Sequence, residues 1–433
     1  CGHGKGLYLW GKDGRPVRNG IISTDNRAWR YPQKWREDGT EDKVFALSCQ
    51  HILSSQPVAL LAWLKENEPD TLEKTQWIFA CKDYVRFRLT GEAFAERTDY
   101  SGCNFVNLHT GKYDAELLSL LGLEECLDKL PPLRCSTDIC GYITKTVSEQ
   151  TGLAEGIPVA GGAFDIDACA LAVGITDEKN ICMIAGTWSI NEYIGKAPVT
   201  DGSVMMNSYF CLPGYYLIEE CSPTSAGNNA WFAQNLLPEL KEKCRETGQN
   251  IYELMNEWVG EISVEEFCPV YLPFLMASNV HPNALGSFVG ISNFHTRKHL
   301  LRSVYEGVAF SHRYHLERLL KTRKQAPVSI RLAGGAARSS MWTQMFADIM
   351  KMPVESVEVD ETGAFGCALI GATAVGDYPD MKEAVNQMCR ISEPVFPDLK
   401  RSAIYDEKYR LYCEAIRSLD GLWDSIQNYR DRH

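Results

Sequence analysis

The stretch from Pro158 to Trp188, PVAGGAFDIDACALAVGITDEKNICMIAGTW, decides how the chain is read. Pro158-Val159-Ala160 is a short extended run that ends in Gly161-Gly162. Phe164-Asp165 opens a small-residue helical run to Val173-Gly174. Ile181 to Ala185 is apolar and strand-like, and it stops at Gly186-Thr187. Strand, glycine turn, helix and a second strand closing on a glycine turn are the pattern of an α/β sheet with its site at strand ends. A carboxylate at a helix start near a Gly-Thr turn supplies two needs of phosphoryl transfer to an alcohol. They are a base for the hydroxyl and backbone N–H groups around the moving phosphate.

Asp165 and Asp167 compete for the role of base. At about 100° per residue, two positions apart on a helix means nearly opposite faces, so only one can face a cleft. Asp165 follows the Gly-Gly turn, where a ligand can approach the backbone. The plainer reading of Asp165 is a helix cap or a partner of the helix dipole. The Gly-Thr turn weighs toward the base.

Length and composition bound the rest. A chain of 433 residues points to two or three domains with ample apolar content for their cores. A formal net charge of -12 argues against a general nucleic-acid or membrane-surface binder. It leaves ATP open, because local N–H groups and a few basic residues suffice for a phosphate. The 16 cysteines include no C-x-x-C pair, and they read as reduced core thiols of a cytoplasmic protein. No uncharged apolar run is long enough to span a membrane. The chain starts at Cys1 on a glycine-rich turn entering a strand, so it is expected to begin inside a domain.

Leu7 and Leu9 alternate before the Asp13-Gly14 turn, which predicts a hairpin returning to Ile21-Ile22. Asp25 and Arg27 follow at that strand end, as site residues or as a cap with a surface arginine. CGHGKG is not a P-loop, since Gly6 stands where Ser or Thr is needed and a strand follows; His3 and Lys5 remain candidate substrate contacts. Pro57–Asn67 is a predicted helix with Leu60, Leu61, Trp63 and Leu64 inward. Trp77–Ala80 reads as a strand, Asp83–Leu89 as a helix, and 98–107 as polar and turn-rich. A domain boundary near Gly156 separates residues 1–156 from 157–433. Further on, 241–260 reads as one surface helix and 299–321 as a long one. His295 and His299 have metal-ligand spacing but no third ligand, so no metal is expected there. Val328, Ile330 and Leu332 run into Gly334-Gly335-Ala336 before a helix, either against a nucleotide or as close helix–strand packing. Pro353–Val359 reads as a strand. The run 403–430 is an amphipathic helix, a candidate to pack back toward the first domain.

These residues resemble the FGGY carbohydrate kinases of the actin/hexokinase-like superfamily over essentially the whole chain. The longer signature is matched by Gly286-Ser287-Phe288-Val289-Gly290-Ile291, then His299-Leu300, then Ser303-Val304-Tyr305-Glu306. The shorter one runs from Ser55 and Pro57 to Trp63-Leu64-Lys65-Glu66-Asn67, and departs at Leu60, where Lys is usual. Within the family the likeness is nearest to the branch that acts on L-xylulose, on GKGLYLW, STDNRA, KDYVRFRLTG, GGAFD, AGTWS and SPTSAGN.

The resemblance implies two ribonuclease H-like α/β domains around a nucleotide cleft, the first truncated at its N-terminus. It implies transfer of the ATP γ-phosphate, with Mg²⁺, to a hydroxyl of a short-chain ketose, L-xylulose first. Other FGGY substrates (D-xylulose, L-ribulose, glycerol, a sugar acid) or a non-catalytic remnant are the alternatives. It implies Asp165 as the base, Gly186 and Thr187 on phosphate, and Gly334, Gly335 and Ala336 on the adenosine side, with Gly290 near the phosphates. His3, Lys5, Asp25 and Arg27 fall where the family contacts its sugar, although His3 replaces the usual Gln. The partners implied are a small-molecule sugar and ATP, with a homodimer as candidate assembly. The family's opening D-x-G-T-type phosphate hairpin is absent, so a chain beginning at Cys1 is expected to be inactive or poorly folded alone.

Overall fold

A computed structural model describes residues 1–432, which divide into two units. Cys1–Glu178, Ile194–Glu219 and Val359–Cys389 form the first; Lys179–Tyr193, Glu220–Glu358 and the chain from Arg390 onward form the second.

In the first unit the strand Tyr8–Gly11 pairs antiparallel with Thr75–Phe79. The expected hairpin back to Ile21 is reduced to two bridges, Leu7 with Ile21 and Trp10 with Pro16. The turn itself forms, with Gly11 N donating to Arg15 O at 2.7 Å. Pro16 has no N–H to continue a ladder, so the return segment never becomes a strand. Below lies the helix Pro57–Asn67, which starts on proline as the sequence predicts and buries Val58, Leu60, Leu61 and Leu64 completely. The turn-rich stretch after Glu96 contains a short helix, Arg97–Ser101, because the Glu96 carboxylate caps the N–H groups of Thr98 and Asp99. Asp165–Ala172 is helical, and it packs against the helix Thr362–Ala374.

The second unit is built on Ile181–Ala185, a strand with Ile181, Cys182, Met183 and Ala185 wholly buried. Ser189–Glu192 returns beside it antiparallel, and Ile330–Gly334 lies parallel on its other side, paired in turn with Val354–Ser356. The last of these is shorter than the predicted run 353–359. Arg297–Leu320 is the long helix, started by a capping box in which Thr296 and His299 exchange hydrogen bonds. Both histidines of the metal-like spacing are thus engaged at turns, since His295 Nδ1 also accepts from Ser292 N at 2.9 Å. The predicted helix over 241–260 is two helices, Pro238–Thr247 and Ile251–Glu261. Gly248 ends the first, and the Asn250 side chain caps the second by accepting from Tyr252 N. Leu399–Arg430 packs on Ser340–Met350 and Val270–Leu272. No helix among the described residues is long and apolar enough to cross a membrane.

Candidate active site

Asp165 is the first residue of its helix, with Phe164 in the cap position, and Ile166 N donates to its Oδ1 at 2.9 Å. It is therefore not a side-chain cap. Asp165 keeps part of its surface open, while Asp167 has none. Asp167 Oδ1 accepts from Cys211 N at 2.9 Å, and its Oδ2 is buried without a hydrogen-bond partner. Burial pushes the Asp167 carboxyl well above its usual range, with Glu96 adding to the push. Burial also raises Asp165, to about 6. Its Ile166 N–H pulls it down, the Lys5 charge pulls in the same direction, Glu219 pushes it up, and His3 lowers it. The two carboxyls thus differ, as their opposite faces require: Asp167 is enclosed, and Asp165 keeps part of its surface exposed.

Local sequence explains how Lys5 and His3 reach Asp165. Gly2 bridges Phe164, and the Phe164 ring lies over Gly4, where an added Cβ would sit 1.7 Å from ring atom Cε2. Only glycine permits that approach. The next residue, Lys5, is buried and holds a left-handed φ of 64°, a conformation that costs a side-chain-bearing residue about 1–3 kcal/mol. His3 Nε2 lies 2.8 Å from Tyr8 Oη. The Cys81 thiol raises the His3 imidazole above its ordinary value, against burial, and His3 in turn lowers Cys81.

Behind this group is an enclosed charge cluster that the sequence reading missed. Lys82 Nζ lies 2.8 Å from Asp83, 3.5 Å from Glu96 and 3.3 Å from Asp99, all of them buried. Burial alone would lower Lys82, but Asp83, Asp99 and Glu96 hold it above its normal value. Glu96 accepts from Thr98 Oγ1 at 2.6 Å, and Thr98 Oγ1 accepts from Phe164 N at 2.8 Å. A capped helix start is thereby tied to the residue that precedes Asp165.

In the second unit the parallel strands Ile181–Ala185 and Ile330–Gly334 end side by side, with Gly334 opposite Ala185. Gly186, Thr187 and Trp188 form the three-residue link to Ser189, and Thr187 is exposed. Gly334 has φ 83°, and a Cβ there would lie 2.6 Å from Ala185 O, so the backbone packing itself demands glycine. Gly335 differs: it is exposed, and its Cβ would meet nothing nearer than Ala185 O at 4.0 Å. Gly186 is similarly open, with Ile184 Cγ2 nearest at 3.9 Å. Ala336 is fully buried. Open backbone at the carboxyl ends of adjacent parallel strands is where α/β sheets take ligands.

The sequence pattern of the FGGY carbohydrate kinase N-terminal domain matches residues 1–172, and that of the C-terminal domain matches 181–375. The chain belongs to the FGGY family of carbohydrate kinases. It is similar to a probable L-xylulose kinase of Haemophilus influenzae, 36% identical across 97% of this chain and 83% of that protein. It is also similar to the L-xylulose/3-keto-L-gulonate kinase of Escherichia coli, 35% identical across 98% of this chain and 83% of that one. Among solved structures, a ligand-bound xylulose kinase from Lactobacillus acidophilus matches with a TM-score of 0.86 at 23% identity. That match covers 98% of this chain and 84% of the other, and it supports the fold. The fold is the two-domain, actin/hexokinase-like fold of FGGY sugar kinases, which take ATP as phosphate donor.

The remaining candidate residues of this FGGY kinase are placed as follows. Arg27 grips the Asp25 carboxylate with both Nε, at 2.9 Å, and an Nη, at 2.8 Å, and lies over the Trp63 ring. The pair holds Asp25 below its usual range and leaves from Ile21, the bridge partner of Leu7. Gly290 is exposed after the strand Ser287–Val289, which pairs with Val270–Leu272 rather than with the Ile181 strand. The end of the long signature is core: Arg302 and Lys408 hold the buried Glu306 at 2.8 and 3.0 Å.

Proposed function

We propose that this FGGY kinase transfers the γ-phosphoryl group of ATP to a hydroxyl of a short-chain ketose, L-xylulose first, with Asp165 as general base. The observation that carries this reading is the contrast of the two carboxyls. Asp165 keeps part of its surface exposed and is raised to about 6, whereas Asp167 has no exposed surface and is raised well above its usual range. A base poised near the working pH takes a hydroxyl proton as the new O–P bond forms, while the bond to ADP breaks. Lys5 and His3, with Asp25 and Arg27, would hold the sugar hydroxyls. The Gly186–Thr187 turn, whose Gly186 N–H donates to Trp188 O at 3.3 Å, would hold phosphate, Gly334, Gly335 and Ala336 would line the adenosine side, and Gly290 would lie near the phosphates.

The 36% and 35% identity to proteins named for L-xylulose supports the choice of sugar. Among the described residues no group of three or more His, Cys, Asp or Glu side chains is arranged to hold a metal. Mg²⁺ would come with the ATP phosphates, where it neutralises their charge.

The test is coupled ADP release with L-xylulose, 3-keto-L-gulonate, D-xylulose, L-ribulose and glycerol, for wild type, Asp165→Asn and Asp167→Asn. The expected result is the highest kcat/KM on L-xylulose and a loss of about 10²-fold or more in kcat for Asp165→Asn. Turnover that survives Asp165→Asn but not Asp167→Asn would overturn the assignment of the base.

A further inference from the structure

Asn191, His312 and Ser225 form a buried hydrogen-bonded chain, and none has any exposed surface. His312 Nδ1 lies 3.1 Å from Asn191 Oδ1, and His312 Nε2 lies 2.9 Å from Ser225 Oγ. The proton positions follow from the ends. Asn191 Nδ2 donates to Glu220 O at 3.3 Å, which leaves Asn191 Oδ1 as the acceptor facing the imidazole. His312 therefore carries its proton on Nδ1, and Nε2 accepts from the Ser225 hydroxyl. Burial, with His315 adding to it, pushes His312 down to about 3, so the ring stays neutral and this polarity is kept.

Ser, His and an amide side chain in this order also make hydrolytic triads, but a serine without exposed surface cannot meet a substrate. The chain leads elsewhere. Ser225 N donates to Thr187 O at 2.9 Å, so the braced residue grips the turn of Gly186 and Thr187. On its other side Ser225 O accepts from Asn228 Nδ2 at 2.7 Å, and Asn228 Oδ1 accepts from Tyr271 Oη at 2.7 Å. Ser225 is thus fixed through its hydroxyl, its N–H and its carbonyl.

We propose that His312 is a positioning residue for phosphate transfer, which acts through Ser225 to set the Gly186–Thr187 turn against the nucleotide's phosphates. The inference rests on the reading of that turn as a phosphate holder. A turn held from behind by a neutral, hydrogen-bonded chain keeps its backbone in one shape before ATP arrives, so no reorganisation is needed at the moment of transfer.

The experiment compares wild type with His312→Leu, Ser225→Ala and Gly186→Ala, reading KM for ATP, KM for sugar, kcat and the thermal midpoint. His312→Leu and Ser225→Ala should raise KM for ATP or lower kcat by about tenfold, with KM for sugar unchanged. If His312→Leu fails to fold, Ser225→Ala, a one-atom deletion, decides alone. Gly186→Ala has room for its Cβ and separates the two ideas. If it alone impairs ATP use, the brace is overturned and the phosphate turn stands. If it changes nothing, the phosphate-turn reading fails, and the inference with it. Parallel losses in both KM values together with a lowered midpoint would also overturn the inference, because that is how a purely structural defect behaves.

Discussion

The N–H of Phe164 donates to Oγ1 of Thr98 at 2.8 Å, and the Thr98 hydroxyl donates to Glu96 Oε2 at 2.6 Å. This relationship fixes where the Asp165 helix starts, because Phe164 is its cap residue and makes no side-chain cap of its own. Thr98→Val keeps the shape and removes the acceptor, leaving a buried N–H unpaired at a cost of about 1–3 kcal/mol. We expect a lower thermal midpoint and a kcat reduced by about tenfold, with Thr98→Ser restoring both. Equal kinetics for Val and Ser at this position would show that the contact does not place Asp165.

The Asp165 carboxyl gives a pH signature. Folded, it holds its proton to about pH 6, whereas its ordinary value is 3.8. The folded state therefore binds more protons between those values. The stability this group contributes is full below about 3.8 and is lost as pH rises through about 6. Activity runs the other way, since only the ionised form accepts a proton. The kcat/KM profile should fall below about pH 6, and Asp165→Asn should lose that limb along with most of the rate. Asp99 is raised as well, by burial against the pull of Lys82, so Asp99→Asn is the control and should keep the limb. A profile flat from pH 5 to 8 in wild type would sink the assignment.

Much of this architecture is legible in the sequence because it is local. Glycine turns mark the ends of Ala185 and Leu332-Ala333, and the alternation of Val328, Ile330 and Leu332 marks their strand. The break at Gly248 is missed by reading 241–260 as one surface helix, although its signals are local, a helix-ending glycine and a capping Asn250 two residues apart. The Lys82 cluster was not legible. It joins residues 82–83 to 96–99 through tertiary contact, and in sequence Lys82 is an ordinary charge in KDYVRFRLTG. Helix geometry says that Asp165 and Asp167 cannot both face one cleft, but their separate environments arise from Cys211, Lys5 and Glu219, all distant in the chain. The long signature shows the reverse problem. Glu306 marks the family clearly, but its carboxylate is spent on Arg302 and Lys408.

The glycine-rich entry makes its own prediction. In Gly4→Ala, the new Cβ would meet three atoms of the Phe164 ring within 2.6 Å, so the turn or the ring must move. Overpacking of this kind costs about 1–3 kcal/mol. Because the moving parts carry Lys5 and precede Asp165, sugar affinity and kcat should fall along with the melting temperature. Adding Phe164→Leu, which removes ring atoms, should recover part of both, and a double-mutant cycle measures that coupling. Additive effects would mean that the ring does not constrain the turn.

The pair Gly334 and Gly335 separates folding from ligand contact at adjacent positions. Gly334→Ala would place a Cβ 2.6 Å from Ala185 O at a φ of 83°, and the left-handed conformation alone costs roughly 1–2 kcal/mol. Because Gly334 pairs with Ala185, the strain falls on the strand that leads into Gly186. The thermal midpoint should drop by several degrees, with ATP use impaired as a consequence. Gly335→Ala meets nothing within 4 Å except Ala185 O at 4.0 Å, so its midpoint should match wild type. Its Cβ instead occupies the open space above the strand ends, where the nucleotide would lie, and KM for ATP should rise by about tenfold while KM for sugar holds. Melting curves and ATP titrations on the two single variants check this directly. A Gly335→Ala enzyme with unchanged ATP kinetics would remove this turn from the nucleotide site, and a Gly334→Ala enzyme with unchanged melting would contradict the tight strand contact at Ala185.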